Sequence, residues 1–345
     1  MRELVLVLPD LFLRGAAPAS VVGGSLTSLR FAAPRLMRGG WRGTVARGAG
    51  RDDLTLVDEA SVIDAALRMG EGAKDLERGS ATEMGEAWIA TPVHLMAGLK
   101  TLHFPANGVL HLAADEAAEL AAAFSSTFGD DGLSLHPASA AGFVLRGLSA
   151  PGALTVEPAR LIGDSLETHL PSGPGSVELR ALASEVEMWL HGLPLNERRQ
   201  SRGEPVISSL WLWGGGQPPR DALRASVVSS RWSQIVTDDV WARSLARLTG
   251  VPVAPLPESI NEMFDAIDAS DADASVLVIA PLTGLDSERF DRAFVAPVAR
   301  ALESERLGRF TVAANDRWAT VGPRDRYRLW RPHRTVFTAV ADGGA

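Results

Sequence analysis

The sequence predicts an α/β protein with a mostly parallel sheet flanked by helices and a less regular α+β insertion. Nearly continuous apolar runs, such as Glu3–Leu8 and Ser275–Ala280, are typical of strands buried on both faces. After Ser233, strand-like and helix-like segments alternate regularly, which favours a doubly wound parallel sheet. The 33 Gly and 21 Pro among 345 residues suit a loop-rich fold better than a helical bundle.

The first predicted strand, Glu3–Leu8, ends at Pro9 and Asp10. In open α/β sheets, ligands collect at the carboxyl ends of the strands. Asp10 is therefore the first candidate binding residue. A cap of the following turn is the alternative role for its carboxylate.

Residues 85–175 have the mixed pattern expected of the α+β insertion. A helix is predicted at Ala114–Phe124, and two hairpin strands at Leu133–Leu135 and Gly142–Leu145. The run Pro171–Gly175 (PSGPG) has the composition of a linker. We therefore predict that residues 1–84 and 176–345 form the α/β core and that 85–175 form the insertion.

Three His residues in this insertion, His94, His103 and His111, raise the question of a metal site. On a strand, His94 and His103 are an odd number of residues apart and face opposite sides. No Asp or Glu stands two or four residues from His94. A metal site is disfavoured, and these side chains are interpreted as stacked or hydrogen-bonded His.

The rest of the chain follows the alternation of a doubly wound sheet. The predicted strands are Ser233–Val236, Val251–Ala254, Ser275–Ala280 and Arg309–Ala313. The predicted helices are Ala181–Trp189 before this region and, within it, Val240–Leu248, Ile260–Ile267 and Phe290–Glu303.

The segment His191–Pro219 organises the chain. An apolar strand, Ile207–Trp213, is predicted to belong to the parallel sheet, and it runs into Gly214, Gly215 and Gly216. Side-chain alternation places Trp211 and Trp213 on one face of that strand. Two interpretations stay open: a core strand followed by a mobile turn, or a glycine nest whose N–H groups bind an anion.

Polar residues just before this strand are further candidates for the same site. Asn196, Arg198 and Arg199 precede the strand by a short loop. An Arg guanidinium suits a phosphate or a carboxylate through its paired N–H donors. Helix capping and salt bridges are the alternative roles for both Arg residues.

Composition excludes several classes of function. The formal net charge of −8 and the absence of basic runs longer than two residues argue against nucleic-acid binding. The chain has no Cys, which excludes disulfides and thiolate chemistry. The sequence contains no run of 18 apolar residues, so no membrane span is predicted, and the N-terminus lacks a signal-peptide pattern. We expect a cytoplasmic protein.

Two motifs, PLNERR at 194–199 and ISSLWLWGGG at 207–216, resemble the PxNxxR and NxLWLWGxG pattern of RpfE-type bacterial regulatory proteins. Those proteins in turn resemble the archaeal-type cofactor-independent phosphoglycerate mutases of the alkaline-phosphatase superfamily. The resemblance is specific at these motifs and extends weakly to Thr91–Arg146 and to Arg326–Pro332. It implies an alkaline-phosphatase-like fold.

The resemblance also implies a catalytic site that this sequence does not reproduce. Active members of the superfamily use two divalent metals, held by Asp and His, to activate a Ser or Thr nucleophile. Here Phe290 stands four residues after Asp286, at a position where the family pattern has a His. Arg317 follows Asp316, where the pattern has a second His. After Gly192 the sequence contains one His, His333. We predict no catalytic residues, no two-metal cluster and no cofactor.

The sequence therefore favours a catalytically degenerate phosphoglycerate-mutase-like protein that serves as a regulatory or anion-sensing module. An active metal-dependent mutase or phosphomonoesterase, and an interaction protein without a small ligand, remain alternatives. The expected partner is a small anionic metabolite or another protein. The predicted ligand-binding residues lie at the carboxyl edge of the parallel sheet: Asp10, Asn196, Arg198, Arg199, Trp211, Trp213, Gly214, Gly215, Gly216 and Asp316.

Overall fold

A computed structural model describes residues 2–9, 29, 31–37, 39–71, 85–98, 102–139, 142–216, 229–257, 264, 274–281, 291–314 and 317–327. The chain divides into two compact units. The first unit combines Met1–Leu56 with Ser226–Ala345, and the second is Val57–Ala225.

Strands and helices are numbered in chain order. The strands are β1 (Glu3–Leu8), β2 (Arg35–Leu36), β3 (Ala87–Val93), β4 (Met96–Ala97), β5 (Leu102–His103), β6 (Ser134–Ser139), β7 (Gly142–Arg146), β8 (Ser209–Gly216), β9 (Gln234–Thr237), β10 (Val253–Ala254), β11 (Ser275–Ile279), β12 (Arg309–Ala314) and β13 (Arg317–Val321). The α-helices are α1 (Gly40–Gly48), α2 (Glu59–Gly70), α3 (Ala114–Phe128), α4 (Ser176–His191), α5 (Pro194–Ser201), α6 (Val240–Thr249) and α7 (Ala296–Glu303).

The first unit contains a mostly parallel sheet in the order β10-β9-β11-β1-β12-β13-β2. The central strand β1 pairs in parallel with β11 and β12, and all six of its residues are buried. This explains the nearly continuous apolar run Glu3–Leu8, because a strand covered on both faces has no solvent side. Helix α7 packs on the face that carries Leu4 and Leu6. The predicted α/β fold class is confirmed.

The second unit is built on an antiparallel sheet in the order β6-β7-β3-β8. Helix α2 packs against β3 and β8, α3 packs against β6, and α4 packs against β8. Apolar side chains from the strands, α3 and α4 form one core that includes Trp88, Phe124, Phe143 and Leu190. The mixture of helices and antiparallel strands is the α+β character predicted for this part of the chain.

The strand at Ile207–Trp213 was expected in the parallel sheet, and this prediction is wrong. The strand is Ser209–Gly216, and it pairs antiparallel with β3 at one edge of the second sheet. Its first four residues are buried, so its apolar run resembles that of a parallel strand. Sequence periodicity reports burial on both faces, whereas the pairing partner depends on contacts distant in the chain.

The run Pro171–Gly175 is not a linker between the two units but a packed part of the second unit. Ser172 and Leu154 exchange two backbone hydrogen bonds, of 2.8 and 3.0 Å. A Cβ on Gly175 would lie 2.3 Å from the carbonyl carbon of Ala150. Pro and Gly serve tight turns as well as linkers, which is why composition alone suggested a boundary here. The second unit thus extends on both sides of the predicted insertion 85–175.

The predicted helix Ile260–Ile267 lies outside the described residues except for Phe264. Among the described residues, no helix combines the length and the apolar character needed to cross a membrane.

Candidate functional site

The carboxyl edge of the parallel sheet is the predicted site, and the structure describes part of it. Leu8 and Ala314, the last residues of β1 and β12, are paired in register, so these two strand ends lie side by side. The candidates that follow them, Asp10 and Asp316, are outside the described residues, as is Asp286. Arg317 begins β13 and pairs with Ala314. Arg317 thus stands beside the end of β12 at this edge of the sheet.

Asn196 acts as a backbone clamp within the second unit. Its Nδ2 donates hydrogen bonds to the carbonyl oxygens of Leu190, at 2.8 Å, and Ile207, at 2.9 Å. Its Oδ1 accepts a hydrogen bond of 2.8 Å from the N–H of Ile207. The side chain is buried. It joins the end of α4 to the chain entering β8, and both of its amide hydrogens are used in doing so.

Arg199 is buried and bonded to neighbouring groups of the second unit. Its Nε donates to the carbonyl oxygen of Pro205 at 2.9 Å, and its Nη1 donates to the carboxylate of Glu116 on α3 at 2.6 Å. Arg198 is exposed and pairs with Glu119, also on α3. The structure therefore shows the salt-bridge role for both Arg residues. Their charges are matched by carboxylates and hold α5 against α3.

The two Trp residues of β8 lie on one packing face, as the alternation of side chains predicts. Both join a cluster with Val93 and Phe104. The Nε1 of Trp211 donates to the carbonyl oxygen of Val156 at 2.8 Å, and the Nε1 of Trp213 donates to the hydroxyl of Thr91 at 2.9 Å. The indole N–H groups therefore fasten neighbouring segments to the strand.

The three glycines are part of β8 and not of a turn after it. Gly214 has a left-handed φ of 59°, and its N–H donates to the hydroxyl of Thr155 at 3.2 Å. A Cβ on Gly215 would lie 2.2 Å from the ring of Trp88, and one on Gly216 would lie 2.0 Å from a carboxylate oxygen of Asp58. Close approach of neighbouring groups, rather than a mobile turn, accounts for this run.

Carboxylates surround the glycine run. Asp58 lies against Gly216, and the carboxylate of Glu59 would be 3.2 Å from a Cβ on Gly214. Glu86 is buried nearby and accepts a hydrogen bond from the N–H of Ala150. An anion held by these glycines would meet negative charge at short range, which disfavours the predicted anion nest at this position.

Burial, together with the neighbouring charges of Glu59 and Glu86, raises the pKa of Asp58 to about 6. No sequence motif marks these three residues as a group. The one local signal is that Asp58 and Glu59 stand at the start of α2, where acidic residues are common. Their proximity to Glu86 and to the glycines is a tertiary fact.

We expect Asp58→Asn to remove a pH dependence of stability. The folded-state pKa lies above the ordinary value of 3.8, so folding takes up a proton in this window. The contribution of Asp58 to the free energy of unfolding therefore falls as the pH rises from about 4 to about 6, and stays low above that. The loss is about 1–2 kcal/mol after allowance for solvent screening. Asn caps helices as well as Asp does, so the helix start is preserved.

The measurement is urea unfolding of both proteins at several pH values, with Asp131→Asn, at an exposed position of the same unit, as the control. The difference between wild type and Asp58→Asn should change across the pH window, and the difference for Asp131→Asn should not. A constant offset for Asp58→Asn would contradict a raised pKa.

Within the described residues, no group of three or more His, Asp or Glu side chains is arranged to hold a metal ion.

Similarity to known proteins was found in sequence and in structure. The chain is 30% identical over 158 residues to a probable 2,3-bisphosphoglycerate-independent phosphoglycerate mutase from Geobacter sulfurreducens, covering 44% of this chain and 39% of that protein. It is 28% identical over 112 residues to a 2,3-bisphosphoglycerate-independent phosphoglycerate mutase from Methanosarcina barkeri, covering 32% and 28%. The chain is distantly similar to the cofactor-independent phosphoglycerate mutases.

The alignments with these mutases span about two fifths or less of their length. Two solved structures align over more of the chain. A cofactor-independent phosphoglycerate mutase from Thermoplasma acidophilum has a TM-score of 0.40 and 16% identity, over 92% of this chain and 88% of the other. A protein from Pyrococcus horikoshii has a TM-score of 0.46 and 12% identity, over 93% of this chain and 87% of the other. No protein-family profile matches the chain.

Proposed function

We propose that this protein is a catalytically degenerate relative of the phosphoglycerate mutases that acts as a regulatory or ligand-sensing module. The observation that carries the proposal is Arg317, which directly follows the paired carboxyl ends of β1 and β12. In the mutase pattern, this edge of the sheet supplies metal ligands. A guanidinium is a permanent cation that repels a divalent ion.

The composition of the first unit supports the same conclusion. The sequence of this unit, Met1–Leu56 with Ser226–Ala345, contains one His, His333, and no Cys. Two-metal phosphoryl transfer needs several anionic or imidazole ligands around each ion. The three carboxylates that the resemblance matches to metal ligands, Asp10, Asp286 and Asp316, are too few for two such ions.

The ligand that we propose for this edge is a small phosphorylated or carboxylated metabolite. Arg317 provides a cation there, and an Arg guanidinium binds phosphate and carboxylate through paired N–H groups. Arg198 and Arg199 are already matched by Glu119 and Glu116 in the second unit. The proposed ligand site therefore leaves out the two Arg residues of α5.

We expect the purified full-length protein to hold less than one equivalent of Mn²⁺ or Zn²⁺ and to interconvert 3- and 2-phosphoglycerate no faster than a blank. We also expect 3-phosphoglycerate to raise the thermal unfolding temperature without added metal, and Arg317→Gln to abolish that shift. Elemental analysis, a coupled mutase assay with each metal, and thermal unfolding are the measurements.

Each alternative function predicts a different result in these measurements. About two tightly bound metals per chain together with turnover would establish the active mutase and overturn the proposal. The absence of any shift, tested over a panel of phosphorylated and carboxylated metabolites, would favour an interaction protein. The variant Arg300→Gln, on the exposed side of α7, controls for a general loss of positive charge.

A further inference from the structure

A polar cluster in the second unit contains none of the residues discussed above. Ser134 and His136 are on β6, Arg146 is on β7, Glu71 follows the last residue of α2, and Asp64 is inside α2. Side chains two residues apart on a strand share a face, so Ser134 and His136 point the same way. Both side chains are half-buried, and Glu71 is more exposed, so a small molecule in solvent can reach them.

Within this cluster, a hydroxyl and an imidazole are in direct contact. The Oγ of Ser134 lies 3.0 Å from the Nε2 of His136, within hydrogen-bonding distance. The Nδ1 of the same ring lies 3.5 Å from a carboxylate oxygen of Glu71. A hydroxyl, an imidazole and a carboxylate in this order form the arrangement that activates serine nucleophiles.

A fixed cation completes the cluster. The Nε of Arg146 donates a hydrogen bond of 2.5 Å to Asp64, whose side chain is 1% exposed, and its Nη1 lies 3.2 Å from Glu71. Arg68 donates to the second oxygen of Asp64 at 2.8 Å. The Nη1 of Arg146 also lies 3.2 Å from the Nε2 of His136. A guanidinium is thus held beside the imidazole that contacts Ser134, where a cation can stabilise negative charge that develops on an attacked acyl group.

We propose that Ser134 is an activated nucleophile of an acyl-transfer site, with His136 as general base, Glu71 as the positioning carboxylate and Arg146 as the oxyanion-stabilising cation. The substrates that fit this chemistry are small, solvent-borne carboxylic esters. This activity is independent of the proposed loss of phosphoryl transfer, because none of its residues belongs to the carboxyl edge of the parallel sheet.

The reaction balances without any further reactant except water. The Oγ of Ser134 forms a bond to the ester carbonyl carbon while its proton passes to the Nε2 of His136. The C–O bond to the alcohol then breaks, and the alcohol leaves with that proton. Water then forms a bond to the acyl carbon while His136 takes one of its protons. The C–Oγ bond breaks, His136 returns the proton to the Oγ of Ser134, and the carboxylic acid is released.

The surroundings of His136 suit a base that works at neutral pH. Burial lowers the pKa of His136, and the charge of Arg146 lowers it further, against smaller opposing effects of Glu71 and Asp64. The pKa of His136 therefore lies below the ordinary value of 6.5, and the imidazole is neutral at neutral pH. The reactivity of Ser134 should fall as the pH drops through that lowered pKa and should be constant above it.

The test uses the full-length protein, a fluorophosphonate probe and p-nitrophenyl acetate. The probe transfers its phosphonyl group to a nucleophilic Oγ as fluoride leaves, and peptide mass spectrometry locates the label. We expect one label per chain, at Ser134, and none on Ser134→Ala. His136→Gln should slow labelling and ester hydrolysis by about 100-fold. Glu71→Gln should slow both less and should shift the pH profile downward, because it removes a charge that favours the protonated ring.

Ser125→Ala, at an exposed position on α3 of the same unit, is the matched control and should label like the wild type. Circular dichroism and thermal unfolding of each variant separate a loss of chemistry from a loss of fold, since Asp64 and Arg146 are left unchanged. Labelling that is absent from the wild type, or that persists in Ser134→Ala, would overturn the proposal. A pH profile that does not follow His136 would do the same.

Discussion

Gly215→Ala is expected to destabilise the second unit by about 3 kcal/mol, the cost of forcing extra atoms into a packed core. The added Cβ would lie 2.2 Å from the Cδ2 of Trp88 and 2.6 Å from the carbonyl oxygen of Ala87. The ring of Trp88 is 1% exposed and packed on all sides, and the carbonyl belongs to the neighbouring strand, so neither can move freely. Urea unfolding followed by Trp fluorescence measures the loss.

The matched control for Gly215→Ala is Gly129→Ala. Gly129 has an ordinary helical φ of −66°, and a Cβ there would meet nothing within 4 Å. Ala at such a position is neutral or slightly stabilising, because it reduces the freedom of the unfolded chain. Equal stability of Gly215→Ala and wild type would show that β3 and β8 are not in close contact at this point.

Asn196→Ala should cost about 3–5 kcal/mol of unfolding free energy, because it leaves buried polar groups without partners. The change removes the hydrogen bonds to the carbonyl oxygens of Leu190 and Ile207 and the bond from the N–H of Ile207. These backbone groups lie in the core region between α4 and β8, where water cannot readily replace the amide. The measurement is the urea midpoint of the full-length chain.

Asn107→Ala, at an exposed turn position in the same unit, is the control and should change the midpoint little. If Asn196→Ala unfolded at the wild-type midpoint, the clamp would be irrelevant to stability. A weakened response to anions with unchanged stability would return Asn196 to the ligand-binding role that the sequence suggested.

The element pattern of this protein could be predicted well where it depends on local burial. Glu3–Leu8 and the helix observed as α6 follow directly from apolar runs and end signals. Asp239 accepts a hydrogen bond from the N–H of Ala242, and Gly250 ends the helix with a left-handed φ of 71°. Both signals are read from residues within one turn of the helix end.

The candidate site was less predictable, because it depends on which strands pair. The strand Ser209–Gly216 was recognised as a strand, yet its partner is β3, more than 110 residues earlier in the chain. With that partner, the glycines lie against Trp88, Asp58 and Glu59 of the second unit. Local sequence does not encode such a contact, since the same apolar run is compatible with either sheet.

The amino-acid sequence by itself determined the fold class, the chemistry that the chain lacks, and the residue types available at the strand ends, because these depend on composition and periodicity. Only the tertiary structure decided that Arg199 and Asn196 hold the second unit together, that carboxylates surround the glycine run, and that Ser134, His136 and Glu71 meet. These contacts join residues from separate elements, and hydrogen bonds and charges act over distances in space that sequence separation does not report.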